Sequence, residues 1–396
     1  MKIDDIQLKV IPDSRGQDTL EAEMISGETS AVASVPSGKS TGKNEAALIP
    51  PKNALEKIPW IKSQIGDTEF STLEQFDHLL LTLDGTPNKS KLGGNLILVL
   101  SIAFTKLLAQ KGNLETFELI AKIAGNREKK LPLCFYNLIE GGVHAENSLP
   151  FQEYLLIPQT NSPRESLNEV LLFIKVLGEV IHKKYEKLKQ GDEGGYTVPS
   201  TDPLTGLQIL DEVRKEGGWE DSLLGLDVAA STFKKDAGYL VGDNLLTPDQ
   251  LLDLYKKIVT DYPMFSIEDP FSEDDPESFA KLLELIGNKT WIVGDDLTTT
   301  NVSQIRKAKE KNAINAVIIK PTQIGTVTET IQAANLAKSY GWKTIVSHRS
   351  GETMDTFIAD LAAGIGADGF KSGCPLQEVR LVKYHRLVEI ERNFKI

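Results

Sequence analysis

Three carboxylates, two lysines and a histidine stand at the ends of short apolar runs in the second half of the chain. "LLGLD" ends at Asp227, "MFSIED" carries Glu268, "WIVGDD" carries Asp295, "AVIIK" ends at Lys320, "TIVSH" at His348 and "DGFK" at Lys371. Three carboxylates brought together repel, so they need protons or a hard cation. Oxygen-only donors suit Mg²⁺, which keeps waters or substrate oxygens in its shell. No second His or Cys lies near enough to suggest zinc. The bland reading of one acidic strand end is the N-cap of the next helix, and Asp296 is a candidate for it. Lys320 has a bland reading too, since a lysine after a buried run commonly snorkels to water. Beside a divalent cation in a partly dry site, however, its ammonium form is disfavoured and it becomes a usable base.

These residues can meet only if their strand ends converge. The steps between the six ends are 41, 27, 25, 28 and 23 residues, and most spacers, such as "TVTETIQAANLAKSYG", have helical periodicity. The long first step holds an apparent extra hairpin, "KKDAGYLVGDN". A strand-helix unit at that interval predicts a (β/α)8-type barrel, whose strand ends share one rim. An open doubly wound sheet is the alternative, with the ends along one edge. Ahead of it, Gln7 to Met24 alternates and turns at "PDSRG", a Gly/Ser-rich loop follows ("SVPSGKSTGKNEA"), and helical patterns occupy much of Asn53 to Ala124. The polar linker "AGNREKKLP" sets the expected division: an α+β capping domain over 1–126 and the barrel over 127–396.

The chain has 396 residues and a net charge of -12, which argues against generic nucleic-acid binding. Any anion site must be locally basic or carry a metal. Cys134 and Cys374 are far apart and outside any CxxC pair, so a reducing compartment with two inert thiols is expected. The N-terminus has acids where a signal peptide needs basic and then apolar residues, and the location expected is the cytoplasm. The most apolar segment, "NLILVLSIAFTKLLA", is interrupted by Lys106 and reads as a buried helix, not as a membrane span.

Eleven motifs, in order, resemble those of the enolases over nearly the whole length. They are "DSRG" at Asp13, "PSGKSTG" at Pro36, "DGTPNKSKLG" at Asp84, "GGVHAENSLPFQEYLLIP" at Gly141, "GDEGG" at Gly191 and "GLD" at Gly225. The others are "SIEDPFSEDD" at Ser266, "VGDDLTTTN" at Val293, "KPTQIGT" at Lys320, "SHRSGETMDTFIADL" at Ser347 and "FKSG" at Phe370. The resemblance implies dehydration of 2-phosphoglycerate to phosphoenolpyruvate on two Mg²⁺ per active site. It implies that Asp227, Glu268 and Asp295 hold the tighter metal, and that Ser40, in a mobile lid hinged at Gly38 and Gly42, ligates the second. Lys320 is implied as the C2 base, with Lys371 beside the substrate carboxylate. Glu193 is implied as the acid for the 3-hydroxyl with Glu153 next to it, a pairing that keeps one carboxyl protonated. His144, Gln152, His348, Arg349 and Ser350 are implied as further catalytic or substrate contacts, the last two on the phosphate. It also implies a homodimer or higher homo-oligomer, with Arg15 in the interface region, and a barrel with one reversed strand. The reversal suits Gln152 and Glu153, which open the run "YLLIP" instead of closing it.

Departures from the family pattern carry expectations of their own. Lys39 replaces a small lid residue and is expected to point to solvent. The segment before "GDEGG" is short, so Glu193 is expected to be held less firmly. "CPLQEVRLVK" stands in place of the usual C-terminal pattern. An impaired enolase-fold scaffold, or another lyase of the superfamily, is the competing reading.

Overall fold

A computed structural model describes residues 1–39, 42–128, 130–145 and 149–394. The chain opens with an antiparallel meander of β1 (Asp5–Pro12), β2 (Asp18–Ser26) and β3 (Thr29–Ser34). Register is in phase throughout, from Asp5 opposite Ile25 to Pro12 opposite Asp18. Helices α1 (Pro51–Ile65), α2 (Leu73–Asp84), α3 (Gly94–Lys111) and α4 (Thr116–Ala124) follow. Thr72 caps α2 by accepting the Gln75 amide, and Gly85 and Gly125 close α2 and α4 in the left-handed region. Among the described residues, α3 alone is long and apolar enough to cross a membrane. Of its apolar window, 72% is buried inside the protein, as the core helix of a packed domain would be. It packs on β2 and β3 and supplies Phe104, which stacks on Phe76 at 4.2 Å between ring centroids.

The rest is a closed barrel. Its strands are β4 (Leu133–Glu140), β5 (Glu153–Ile157), β7 (Leu223–Asp227), β11 (Met264–Glu268), β12 (Trp291–Gly294), β13 (Ala316–Ile319), β14 (Lys343–Ser347) and β15 (Gly369–Lys371), with β15 pairing back to β4. The short β6 (Tyr196–Thr197) adds to the end of β4. Strands β8 (Lys234–Lys235), β9 (Gly238–Val241) and β10 (Asn244–Leu246) form a separate small sheet where the hairpin was expected. The closure decides against the open sheet. Strand β5 runs antiparallel to both β4 and β7, the reversal that Gln152 and Glu153 require.

Helices α5 (Pro163–Tyr185), α6 (Thr205–Glu216), α7 (Pro248–Asp261), α8 (Pro276–Ile286), α9 (Val302–Glu310), α10 (Pro321–Ile324), α11 (Val327–Ser339), α12 (Phe357–Ile365) and α13 (Glu378–Phe394) follow along this half. The cap of α9 is Asn301, accepting the Ser303 amide, so Asp296 is not the cap that the sequence offered. Inside the barrel, Phe135, Leu155, Ile157, Val293, Ala316, Ile318 and Ile345 form a dry plug. Dispersion and burial fix these strands, about 1.5–3 kcal/mol for each fully buried large side chain. The polar residues beyond the plug therefore stand on a rigid floor.

Candidate active site

Register brings the acids to one level. Glu140, the last residue of β4, pairs with Glu153, the first of β5. Glu153 pairs with Asp227 at the end of β7, and Asp227 with Glu268 at the end of β11. Asp295, Lys320 and His348 follow within a residue of the ends of β12, β13 and β14. Lys371 ends β15, paired with Ser347.

Two lysines neutralise this row. Lys371 Nζ lies 3.2 Å from Glu153, 3.2 Å from Asp227 and 2.7 Å from Glu268, all buried. Burial disfavours its charge, but Glu153, Glu268 and Asp227 outweigh that and raise its pKa well above the usual lysine range. Lys320 is ion-paired to Asp295. Burial again opposes the charge, and Asp295 overrides it, so Lys320 is also raised. The lowering expected from the sequence requires a divalent cation nearby; without one, Asp295 spends its negative charge on the ammonium itself. Gln323 donates to the other Asp295 oxygen at 2.8 Å, and Gln152 donates to Asp227 at 3.4 Å.

Glu193 is buried and well held, which corrects the expectation of a loose acid. Asn137 Nδ2 donates to it at 3.1 Å, His348 Nε2 lies at 3.2 Å and His144 Nδ1 at 3.5 Å. Its carbonyl accepts the Cys374 amide at 3.0 Å. Arg380, fully buried on α13, donates to His348 Nδ1 and to the carbonyls of Arg349 (2.7 Å), Ser350 (2.6 Å) and Asp192 (3.3 Å). A donor on Nδ1 leaves the ring proton on Nε2, aimed at Glu193. Burial pushes His348 down to about 3, so it gives that bond as a neutral ring.

The two carboxyls of the pair shift in opposite directions, Glu153 up and Glu193 down. Burial raises Glu153 well above the usual range. For Glu193 burial acts the same way, but His348, His144 and Arg380 win and hold it well below. His144 Nδ1 lies between the two, 3.9 Å from Glu153 and 3.5 Å from Glu193, and burial keeps its ring neutral.

A second group of side chains in the site centres on Arg349. Arg349 is buried and pairs with Glu45 through both terminal nitrogens, at 2.9 and 3.2 Å. Arg15 Nη1 donates to Ser350 Oγ at 3.2 Å and Nη2 to Ser37 Oγ at 2.8 Å, so within the chain it supports the site. The lid backbone lies on the Arg349 guanidinium so closely that a Cβ at Gly38 would be 1.9 Å from Nη2; only glycine fits. Lys39 keeps 45% of its side chain accessible to solvent. It pairs with Asp192 at 2.8 Å and lines one small cavity, about 20 Å³, with His144, Gln152, Glu153, Glu193, Lys320, Ser347, His348, Arg349, Ser350 and Lys371. Ser40 lies outside the described residues.

The sequence reading missed Arg380, Asn137, Glu140, Glu45 and Arg15 as parts of this site. Arg380 sits in a helix of mixed charge in which Lys383 and Glu391 are buried too, and nothing local marks any of the three. The acid before "GG" at the end of β4 was a readable signal for Glu140.

Residues 3–120 match the family described as "Enolase, N-terminal domain", and residues 128–395 match "Enolase, C-terminal TIM barrel domain". The chain belongs to the enolase family. It is similar to Enolase B of Dictyostelium discoideum, 38% identical over 100% of this chain and 96% of that one. It is likewise similar to the enolase of Methanopyrus kandleri, 38% identical over 99% and 96%, and to that of Methanocaldococcus jannaschii, 39% identical over 99% and 95%. The expected barrel with one reversed strand, preceded by a smaller α+β unit, is the enolase architecture.

Enolase membership implies a divalent metal, and the donors fit one. Asp227, Glu268 and Asp295 offer oxygen only, and Glu268 Oε1 is buried without a hydrogen-bond partner. Burial raises the Glu268 pKa well above the usual range, followed by the nearby Asp227 charge, with Asp295 adding to it, so the three sense one another. They are not the tightest acidic set, however. Among the described residues, Asp269, Asp295 and Asp296 offer oxygens within 4.8 Å of one another, as do His144, Glu153 and Glu193 with one ligand atom each. Asp269 accepts the Asp295 and Asp296 amides at 2.9 and 2.8 Å, which marks it as a brace for that strand end.

Proposed function

We propose that the rim residues of this enolase divide the reaction between a base wall and an acid wall. The activity is the reversible dehydration of 2-phospho-D-glycerate to phosphoenolpyruvate, a glycolytic lyase reaction acting on a small phosphorylated carboxylate. Lys320 takes the C2 proton. That proton is weakly acidic because its loss makes a carboxylate dianion, and Lys371, fixed beside it, stabilises the charge as it develops. Arg349 and Ser350 bind the phosphate, the guanidinium by two parallel bonds, with His348 and Gln152 completing the contacts. Glu193 assists loss of the 3-hydroxyl, with Glu153 and His144 able to pass it one proton.

Asp227, Glu268 and Asp295 would hold the tighter of two Mg²⁺ ions, and Ser40 would ligate the second. The ions would supply positive charge for the substrate carboxylate and draw off the Asp295 charge that otherwise raises Lys320. Without that charge, the neighbours of Lys320 that remain include burial, Arg349 and Lys371, which all favour the neutral amine.

The observation that carries this reading is one cavity enclosed by Lys320, Lys371, Glu193, Glu153 and Arg349 together. We also infer a division at residue 126/127, a cytoplasmic location consistent with two buried free thiols, and a homodimer or higher homo-oligomer. The test is phosphoenolpyruvate formation followed by absorbance with and without Mg²⁺, beside Lys320→Ala and Glu193→Gln. Metal-dependent turnover lost by about 10²-fold or more in both variants is expected. A folded wild type that binds Mg²⁺ without turnover would overturn the assignment.

A further inference from the structure

The loop that carries Glu193 lies between the end of α5 at Tyr185 and the start of β6 at Tyr196. Its own backbone bonds join Gly191 to the Gly195 carbonyl and Thr197 to the Lys189 carbonyl, each at 2.9 Å. The Glu193 amide itself goes to Glu140. This fully buried side chain accepts the Glu193 amide at 3.2 and 3.1 Å through its two oxygens, and the Gly195 amide at 2.5 Å. Burial and the nearby Glu193 charge raise the Glu140 pKa well above the usual carboxylate range, while the two amides pull the other way.

The fit leaves no slack. A Cβ at residue 191 would lie 2.3 Å from Glu140 Oε2, and one at 195 would lie 3.0 Å from Oε1. The first and last glycines of "GDEGG" are therefore the residues that let the loop reach the carboxylate. The backbone of Glu140 is fixed on both sides, paired with Glu153 of β5 and with Thr197 of β6. Its other neighbours are not solvent, so a displaced carboxylate would lose its bonds without gaining water.

We propose that Glu140 is a positioning residue for Glu193: its side chain ties the acid loop to the end of β4, ahead of the short β6. This rests on the reading of Glu193 as the group that assists loss of the 3-hydroxyl. Glu140 touches neither the C2 base nor the phosphate wall. Its removal should therefore slow one chemical event and spare the other.

The two events can be timed separately on the full-length enzyme with Mg²⁺. Exchange of the C2 proton with solvent deuterium, followed by NMR, reports Lys320; phosphoenolpyruvate formation reports the whole reaction. Glu140→Gln keeps the shape but sets an amide NH₂ against a backbone N–H, and Glu140→Asp keeps the carboxyl group but shortens the reach. Each should slow dehydration about tenfold relative to exchange, the loss of one buried hydrogen bond. Equal falls in both rates, or no change in either, would overturn the proposal.

Glu193→Gln is the control. Should it leave the ratio of exchange to turnover as in the wild type, the role of Glu193 fails and the Glu140 proposal falls with it. Should it separate the two rates while both Glu140 variants do not, only the Glu140 proposal falls. If neither Glu140 variant folds, amide exchange in the wild type decides. Protection of the Glu193 and Gly195 amides like that of β4 supports the anchor, and exchange at the rate of an open loop refutes it.

Discussion

Replacing Lys371 by methionine keeps the unbranched stem and deletes the charge. Three buried carboxylates then lose their common partner, at 3.2, 3.2 and 2.7 Å. Breaking one buried ion pair costs about 3–5 kcal/mol, and three acids sharing one ammonium do not triple it. They can escape by taking up protons instead. Burial already holds Glu153 and Glu268 above the usual carboxylate range, against the pull of Lys371. Without the ammonium they rise further, so the folded variant keeps protons that the unfolded chain releases above about pH 4.3. Stability of the variant must then fall as pH rises, by up to about 1.4 kcal/mol per pH unit for each carboxyl that has to stay protonated. We expect a loss of about 4 kcal/mol near pH 8 and clearly less near pH 5.5. Urea unfolding by circular dichroism in EDTA measures this, and excess Mg²⁺ should restore part of the loss. A deficit under about 1 kcal/mol, or one that does not change with pH, would mean that Lys371 does not hold these acids together.

Two further outcomes test other parts of the molecule. Lys39→Ala removes a half-exposed pair with Asp192, so stability should change by less than about 1 kcal/mol. The KM for the anionic substrate should rise a fewfold at low salt, with the difference shrinking as salt is added; steady-state kinetics at two ionic strengths would detect a null effect. Away from the site, burial raises Asp77 to about 6, while one oxygen accepts the Thr328 amide and the other has no partner. The folded protein thus binds a proton that the unfolded chain gives up, and stability drains between the unfolded pKa near 3.9 and the folded one. Asp77→Asn should abolish that slope and stabilise the protein above pH 6 by up to about 3 kcal/mol, with equal urea midpoints at pH 7 counting against it.

Runs such as "AVIIK" and "WIVGDD" disclosed the barrel because period and spacing are local properties. A buried parallel strand must be apolar along its length, and its first polar residue marks the rim. The same logic exposed Asp227, Glu268, Asp295, Lys320, His348 and Lys371, and the position of Glu153 at a strand start foretold the reversed β5. Partnership was not legible, because it depends on which side chains the closed barrel brings within about 3 Å. Without a cation, Asp295 pairs with Lys320 and raises it. His348 and His144 face Glu193, and Glu153 and Glu193 shift apart. Lys39 pairs with Asp192 while staying half exposed. Nothing local in the sequence marked Arg380 as buried, and only the packed structure placed it on the acid loop. Composition and spacing determined where the chemistry sits; desolvation and ion pairing, which are properties of the assembled tertiary structure, decided which groups pair.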